Sequence, residues 1–400
     1  MIINLRNRLM PTTTNLTKYR AVHLTSAHPP LDVRIFHKEC RSLARAGYEV
    51  TVLGNHTRNE IVDSVRLQGL GATRGRLQRI TVKLVRMCQA AFQNAADVYH
   101  IHDPELLLVG LVLRSAGKRV IYDIHEDLPR TMLLKAYLPK FLRKSLIWIV
   151  EHTENAAARR MSGLIVATPA LADRFRPIHS DTVVVNNFVM LNEFIAPTGL
   201  EWKKRDPAVV YYGGLSEERG IREMLKAMDV LPSTLHLKLE LGGCFYVKDQ
   251  ETFYMSEPYW KHVNWHGELD RNSIASILNR VQVGLVILHP DEAYLTSQPT
   301  KLFEYMAAGI PVVASDFPLW RSIVEDAGCG LLVDPLDVND IATAIEYLIR
   351  NPGEAEAMGE RGRKAAEERF NWVNEEQALL TFYASLLPES TVLGAGALTA

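Results

Sequence analysis

The chain of 400 residues has about twice the length that one hydrophobic core serves, which predicts two domains and excludes a single small binding module. Its composition, 47% hydrophobic and 23% charged, is that of a soluble globular protein and excludes collagen-like, coiled-coil and disordered classes. The formal net charge of −1 offers no global attraction to nucleic acid, so electrostatic contacts must come from local patches.

Scattered cysteines and short apolar runs indicate a reduced, cytoplasmic setting. No two of the four cysteines form a CxxC pair, and none lies beside histidines at metal-ligand spacing, so we expect neither a disulfide framework nor a bound metal. The longest apolar run, from Leu106 to Leu113, is far shorter than the ~20 residues that cross a bilayer. We therefore expect a cytoplasmic protein without a transmembrane segment.

In the first half, short β-branched runs alternate with segments of helical spacing such as Ile35–Ala46. This alternation is typical of parallel βαβ units and predicts one doubly wound sheet. Its six predicted strands are Tyr19–Thr25, Tyr48–Gly54, Asp97–Asp103, Arg119–His125, Ser162–Thr168 and Asp181–Asn187.

The second half repeats the pattern, with predicted strands at Ala208–Leu215, Leu235–Gly243, Val263–Leu269, Val281–Leu288, Ile310–Ser315 and Gly330–Asp334. Two such sheets predict a cleft between the carboxyl ends of their strands, with the active site between the halves. The predicted layout is an N-terminal Rossmann-like domain over 1–191, a linker over 192–207, a second Rossmann-like domain over 208–370, a C-terminal helix over 371–387 that packs back on the first domain, and a tail over 388–400.

The stretch QPTKLFEYMAAGIPVVASD, residues 298–316, predicts a loop, a helix, a glycine stop and a buried strand. Pro299 suits the first helical turn and Gly309 the left-handed end, which places the helix start near Thr300 and Lys301. The N–H groups of that start, reinforced by Lys301, form an anion site, and Glu304 is placed to accept two ribose hydroxyls. The alternative is an ordinary amphipathic helix with Glu304 on a solvated face.

The stretch VVYYGGLSEERG, residues 209–220, predicts a buried strand that ends in two glycines. Gly213 and Gly214 let the backbone approach a ligand closely, and Arg219 can fork onto phosphate oxygens. The alternative is a tight turn with a solvated arginine.

Polar residues follow three predicted strands of the first half. Asp32 and Arg34 open the helix after the first strand, where an acceptor or a phosphate would arrive. Two further strands end in HIHDPE and YDIHED, which place His102, His125 and Glu126 at strand ends. These histidines are either a metal site or satisfied core and loop side chains, and we favour the second interpretation.

Six motifs, in this order and spacing, resemble the family 4 retaining glycosyltransferases of the GT-B fold: HPPLDVRIFHKE, HIHDPELL, YDIHEDLP, YYGGLSEERG, PTKLFEYMAAGIPVVASD and CGLLVDP. The resemblance covers about residues 19–387 and implies an α/β protein of two Rossmann-like doubly wound domains that face each other across a cleft. It implies sugar transfer from a nucleotide-sugar donor to an acceptor, such as a lipid-linked or cell-surface polysaccharide intermediate, with retention of anomeric configuration and without a metal cofactor.

The resemblance also implies individual roles. Glu304 would bind the ribose, and the N–H groups of Thr300, Lys301 and Leu302 would bind the diphosphate. His125 matches a histidine near the reacting sugar carbon and its 6-hydroxyl. Together with the residues singled out above from their positions at strand ends and turns, the predicted set comprises the catalytic candidates His125, Arg219 and Lys301, the donor-binding residues Gly213, Gly214, Arg219, Thr300, Lys301, Leu302 and Glu304, and the acceptor-side candidates Asp32, Arg34, His102 and Glu126.

Two positions depart from the family pattern. Thr296 stands in place of the first glutamate of the E-x7-E signature, and Gly214 in place of an arginine of the phosphate loop. The nearest replacements are Asp291, Glu292 and Lys301. Two alternatives therefore stay open: a nucleotide-sugar epimerase of the same architecture, and a non-catalytic nucleotide-sugar-binding protein.

Between Asp63 and Asp97 the sequence has six basic residues and no acidic one, and a second basic amphipathic stretch covers Leu133–Val150. Such segments can rest on anionic lipid head groups, which predicts a peripheral contact with the inner face of the plasma membrane. The alternative is a pair of solvated helix faces. The predicted membrane patch comprises Arg74, Arg76, Arg79, Lys83 and Arg86.

Overall fold

A computed structural model describes residues 19–71, 82–133, 140–194 and 202–388. In these residues the first domain has eight strands: β1 Arg20–Leu24, β2 Glu49–Gly54, β3 Asn59–Val62, β4 Val65–Gly69, β5 Val98–Ile101, β6 Arg119–Ile124, β7 Gly163–Val166 and β8 Thr182–Val184. Their order in the sheet is β3-β4-β2-β1-β5-β6-β7-β8, and every pair is parallel except β3 with β4.

Helices cover both faces of this sheet, because successive residues of a strand point to opposite sides. Ala21 of β1 packs in one core with Ile35 and Phe36, whereas Val22 and Leu24 pack in the other. The helices of this domain are Val33–Cys40, which is π-helical, Arg41–Arg45, Val82–Gln93, Leu107–Ser115, Leu128–Leu133, Lys140–Ala158 and Pro169–Phe175.

The second domain has six parallel strands: β9 Ala208–Leu215, β10 Lys238–Phe245, β11 Val263–Trp265, β12 Val283–Val286, β13 Val312–Ser315 and β14 Gly330–Val333. Their order is β11-β10-β9-β12-β13-β14, and one continuous core surrounds them. The helices are Ile221–Val230, Lys248–Ser256, Arg271–Leu278, Glu292–Leu295, Thr300–Ala307, Pro318–Ala327, Val338–Arg350 and Pro352–Glu368.

The helix Trp372–Ser385 lies on the first domain, although it follows the second domain in the chain. Trp372, Leu379, Phe382 and Tyr383 belong to the same core as Ala21. The indole N–H of Trp372 donates to Ser42 Oγ at 2.9 Å. The chain therefore enters the first domain twice.

All twelve predicted strands are present, with bounds that differ by a few residues from the sequence expectation. The hairpin β3–β4 was not predicted. Its strands are short, and β3 at the sheet edge is mostly exposed, so it has no buried apolar run to reveal it.

Candidate active site

A cavity of about 1420 Å³ lies between the two domains. It is lined by Asp32, His125 and Glu126 of the first domain and by Arg219 and Lys301 of the second. The lining segments follow the carboxyl ends of strands in both sheets, where open α/β folds bind their ligands. The predicted location of the site between the halves agrees with this cavity.

The helix Thr300–Ala307 begins at the cavity wall, directly after Pro299. The first N–H groups of a helix have no partner within it, so those of Thr300 and Lys301 are available to an anion. Leu302 differs from the expectation, because its N–H donates to the carbonyl of Pro299 at 3.1 Å and its side chain is buried in the core. Two backbone donors, rather than three, are open at this helix start.

Two cations lie together in the donor-side wall. Burial and the nearby charge of Arg219 lower the pKa of Lys301 to about 7. Among the residues described here, neither side chain forms an ion pair with a carboxylate. An anion between them would offset the repulsion that lowers the pKa of Lys301.

Aromatic rings, not carboxylates, hold the two cations in place. Lys301 Nζ lies 4.9 Å from the centre of the Tyr211 ring. The guanidinium of Arg219 lies 5.5 Å from the ring centre of Tyr246 and 6.0 Å from that of Tyr294. Tyr246 and Tyr294 line the cavity, and the sequence analysis missed both because cation–π contacts leave no local pattern in a sequence.

The two glycines of the phosphate loop make room for these side chains. Gly213 has a φ of +125°, and a Cβ there would lie 3.5 Å from Lys301 Nζ. A Cβ on Gly214 would lie 2.1 Å from the hydroxyl oxygen of Tyr246. Because the Tyr246 ring fills the space beside Gly214, no larger residue fits there without displacing it.

Glu304 does not line the cavity, contrary to the geometry expected of a ribose ligand. It is 4% exposed, and its two oxygens accept hydrogen bonds from Tyr212 at 2.5 Å and from Arg271 at 2.7 Å. Arg271 also bonds to Glu193. In this structure Glu304 belongs to a buried polar network, so the ribose role stays a prediction that requires this network to open.

His125 stands at the opposite wall, at the end of β6. Its Nε2 lies 2.7 Å from Asp123 Oδ2, and its side chain is 19% exposed to the cavity. Glu126, next in the chain, is exposed and also lines the cavity. The end of β6 thus places the His125 imidazole at the cavity, where the buried Asp123 carboxylate fixes its orientation.

Three acceptor-side candidates form hydrogen bonds within the protein. Asp32 caps a helix, with Oδ1 accepting from the N–H groups of Arg34 at 2.8 Å and Ile35 at 2.9 Å. The guanidinium of Arg34 is 4% exposed and donates to Asp123 at 2.8 and 3.0 Å. His102 is 2% exposed behind His125. Arg34 nevertheless lines the cavity, whereas His102 does not, and the acceptor-side roles of both residues stay predictions.

Within the described ranges of the chain, two groups of side chains have ligand atoms close enough to hold a metal ion. They are His23, Glu39, His100 and His102, and the trio His102, Asp123 and His125, with ligand atoms within 4.8 Å of one another in each group. In the first group, His23 Nδ1 and His102 Nε2 are hydrogen-bonded to each other at 2.9 Å. The expectation of no metal cofactor stays a prediction.

The replacement candidates near Thr296 do not gather at the cavity. Thr296 lines it and accepts a hydrogen bond from Arg130 Nη1 across the two domains at 3.3 Å. Asp291 and Glu292 are not part of the lining, whereas Lys301 is. Arg130 was not among the predicted site residues. It is a first-domain residue that contacts Thr296, the position where the family has its first glutamate.

The structure describes two residues of the predicted membrane patch, Lys83 and Arg86, and the prediction is wrong for Lys83. Arg74, Arg76 and Arg79 lie outside the described residues. Lys83 is 1% exposed and bonds to the carbonyl of Ser26 at 2.8 Å, so it cannot meet a lipid head group. Arg86 is exposed. In the part of the chain that the structure describes, no helix combines the length and apolar character needed to cross a bilayer.

Two family models match the chain. The model for glycosyl transferases group 1 matches residues 195–365, and that for the glycosyl transferase 4-like domain matches residues 33–187. Together they cover both domains of the structure.

Characterised relatives include two mycobacterial enzymes. The phosphatidyl-myo-inositol mannosyltransferase of Mycobacterium leprae is 22% identical over 299 residues, which are 72% of this chain and 74% of that protein. The MMP alpha-(1->4)-mannosyltransferase of Mycolicibacterium hassiacum is 24% identical over 309 residues, covering 72% of this chain and 71% of that protein.

Solved structures share the fold. The sucrose-phosphate synthase of Thermosynechococcus elongatus superposes with a TM-score of 0.75 at 19% identity, covering 92% of this chain and 99% of that one. Anabaena HepE in complex with UDP-glucose superposes with a TM-score of 0.71 at 15% identity, covering 92% of this chain and 100% of that one.

Proposed function

Because this chain belongs to the GT-B glycosyltransferases of family 4 type, and so transfers a sugar from a nucleotide-sugar donor, we propose that it acts with retention on a lipid-linked acceptor. The epimerase alternative is not favoured, since the matching relatives are named transferases and synthases. The observation that carries the proposal is the pair of cations, Arg219 and Lys301, beside the open helix start at Thr300.

Charge development explains why this pair suits transfer. Breaking the bond between the anomeric carbon and the phosphate oxygen leaves negative charge on the nucleoside diphosphate. Arg219, Lys301 and the N–H groups of Thr300 and Lys301 stabilise that charge as it grows. We propose that these groups take the place of a divalent ion, so that activity should persist in EDTA.

Retention follows if the acceptor attacks from the face that the diphosphate leaves. The acceptor hydroxyl then forms the new bond to the anomeric carbon, and its proton passes to the departing phosphate oxygen. His125, on the opposite wall, contacts the donor sugar. The test is the proton NMR coupling of the anomeric hydrogen in the product, compared with that of the donor. An inverted configuration would refute this course.

An exposed apolar face on the first domain supports a lipid-linked acceptor. It is formed by three adjoining helices, Val82–Gln93, Leu107–Ser115 and Lys140–Ala158. The same helices carry the exposed basic residues Arg86 and Lys144. We define the apolar face by its large side chains that are 43–63% exposed: Val82, Val85, Phe92, Leu108, Val112, Trp148 and Ile149. Soluble proteins rarely expose so many apolar groups on neighbouring helices without a partner. One relative's name also specifies a lipid, phosphatidyl-myo-inositol.

Vesicle binding tests this part of the proposal. Changing Val85, Leu108 and Trp148 together to Glu should lower sedimentation with phosphatidylglycerol–phosphatidylcholine vesicles at least tenfold. A matched control changes three apolar residues of comparable exposure, 52–70%, that lie on other elements, Ile61, Val230 and Val373, to Glu. Equal loss in both triple variants, or no binding by the unaltered protein at low salt, would refute the membrane contact.

A further inference from the structure

Behind His125, a chain of hydrogen bonds crosses the interior of the first domain. Asp123 Oδ2 lies 2.7 Å from His125 Nε2 and 3.1 Å from His102 Nδ1. His102 Nε2 lies 2.9 Å from His23 Nδ1, and His23 Nε2 lies 3.2 Å from the hydroxyl of Tyr383. Of these five residues, His125 is the one that lines the cavity.

The charge on Asp123 determines which atom donates in each of these hydrogen bonds. Burial opposes its charge, but Arg34 and His125 keep the pKa of Asp123 well below its usual value, and Arg34 bonds to both of its oxygens. A carboxylate can only accept hydrogen bonds, so His125 Nε2 and His102 Nδ1 must both carry a proton.

The remaining tautomers follow in turn. Burial lowers the pKa of His102 to about 4, so this ring is neutral and its Nε2 accepts. Burial and the neighbouring His102 likewise keep the pKa of His23 well below its ordinary value. His23 therefore donates from Nδ1 to His102 and accepts the Tyr383 hydroxyl at Nε2. The Tyr383 hydroxyl also lies 2.9 Å from His100 Nδ1. Between His23 and Asp123, the donors all point toward the carboxylate.

We infer that Asp123 is a positioning residue that holds the proton of His125 on Nε2 and leaves Nδ1 as a hydrogen-bond acceptor for the cavity. Nδ1 of His125 has no hydrogen bond to another described residue. The inference rests on the proposed contact of His125 with the donor sugar. A sugar hydroxyl can donate to an unprotonated nitrogen, whereas a carboxylate cannot. His125 Nδ1 therefore favours a donor sugar that has a hydroxyl group where the sugar contacts this nitrogen.

The test is a double-mutant cycle between Asp123 and His125, measured as kcat and KM for the donor. An amide at position 123 keeps one acceptor oxygen, which cannot serve Arg34 and both histidines. Asp123→Asn should therefore lower kcat about 10- to 100-fold with little change in KM, yet have no further effect in the His125→Ala protein. Glu154→Gln is the control, because Glu154 is a buried carboxylate of the same domain that bonds to Tyr122.

The outcomes separate the inference from the proposed function. If Asp123→Asn lowers kcat by the same factor in both backgrounds, or has no effect in either, Asp123 does not act through His125 and the inference is overturned. A wild-type rate for His125→Ala would refute the sugar contact, and the positioning role with it.

If Asp123→Asn does not fold, a measurement on the unaltered protein still tests the inference. In protein labelled with 15N-histidine, NMR should show a protonated Nε2 and an unprotonated Nδ1 for His125, assigned by the signals that His125→Ala removes. A proton on Nδ1 would overturn the inference.

Discussion

Donor affinity should fall as the pH rises above about 7, because the cavity holds a buried lysine whose charge the diphosphate needs. Burial and Arg219 lower the pKa of Lys301 to about 7 from its ordinary 10.5. A bound diphosphate favours the charged ammonium, so binding takes up a proton wherever the free protein has lost it. The charged fraction of Lys301 drops from about 0.9 at pH 6 to about 0.1 at pH 8, which predicts roughly tenfold weaker binding.

The ligand for isothermal titration is the nucleotide sugar that most raises the melting temperature of the protein, and its diphosphate does not titrate in this range. The titration measures both the dissociation constant and the proton uptake. Buffers of different ionisation enthalpy should reveal uptake of about 0.9 proton per donor at pH 8. The control is Lys301→Arg, whose guanidinium stays charged and should remove the pH dependence. A dissociation constant that is unchanged from pH 6 to 8, or the same slope in Lys301→Arg, would refute the reasoning.

Three further predictions concern single side chains. Arg219→Ala should lower kcat about 10²–10³-fold, whereas a wild-type rate would place the phosphate pocket elsewhere. Glu304→Ala should lower the free energy of unfolding by about 1–3 kcal/mol in urea titrations, because the buried Tyr212 hydroxyl loses its acceptor while Arg271 keeps Glu193; unchanged stability with lost donor affinity would contradict this. Burial and the charge of Asp123 raise the pKa of Glu39 well above its ordinary 4.5, so the folded protein loses stability as the pH rises above that value. Glu39→Gln should therefore melt higher than the unaltered protein at pH 8 and equally at pH 4; a constant difference in melting temperature would refute it.

Local sequence patterns predicted the positions of the strands and of the helix start at the cavity well. The strand β9 has the predicted bounds, Ala208–Leu215, because a buried β-branched run ends in glycine and polar residues. The helix start at Thr300 was predicted from Pro299 and from the glycine stop at Gly309, which has a φ of +68°. These features depend on neighbours in the chain, so the sequence alone reveals them.

Contacts between distant segments were beyond such patterns. The basic amphipathic spacing around Lys83 does not reveal that Ser26, 57 positions earlier, accepts its ammonium in the interior. Glu304 has the spacing of an exposed carboxylate, but its surroundings depend on Tyr212 and Arg271 from other elements. Burial and pairing of charged groups arise from tertiary packing, which a helix or strand period does not encode.

The return of the helix Trp372–Ser385 to the first domain bears on how the chain folds during synthesis. The core around Ala21 stays incomplete until that helix has left the ribosome, after the whole of the second domain. At 5–20 residues per second, translation from residue 189 to residue 372 takes roughly 10–40 s. During that time the nascent first domain exposes the apolar surface that Leu379, Phe382 and Tyr383 later cover, and it is open to chaperones. An expression fragment of the first domain would need residues 371–387 supplied with it.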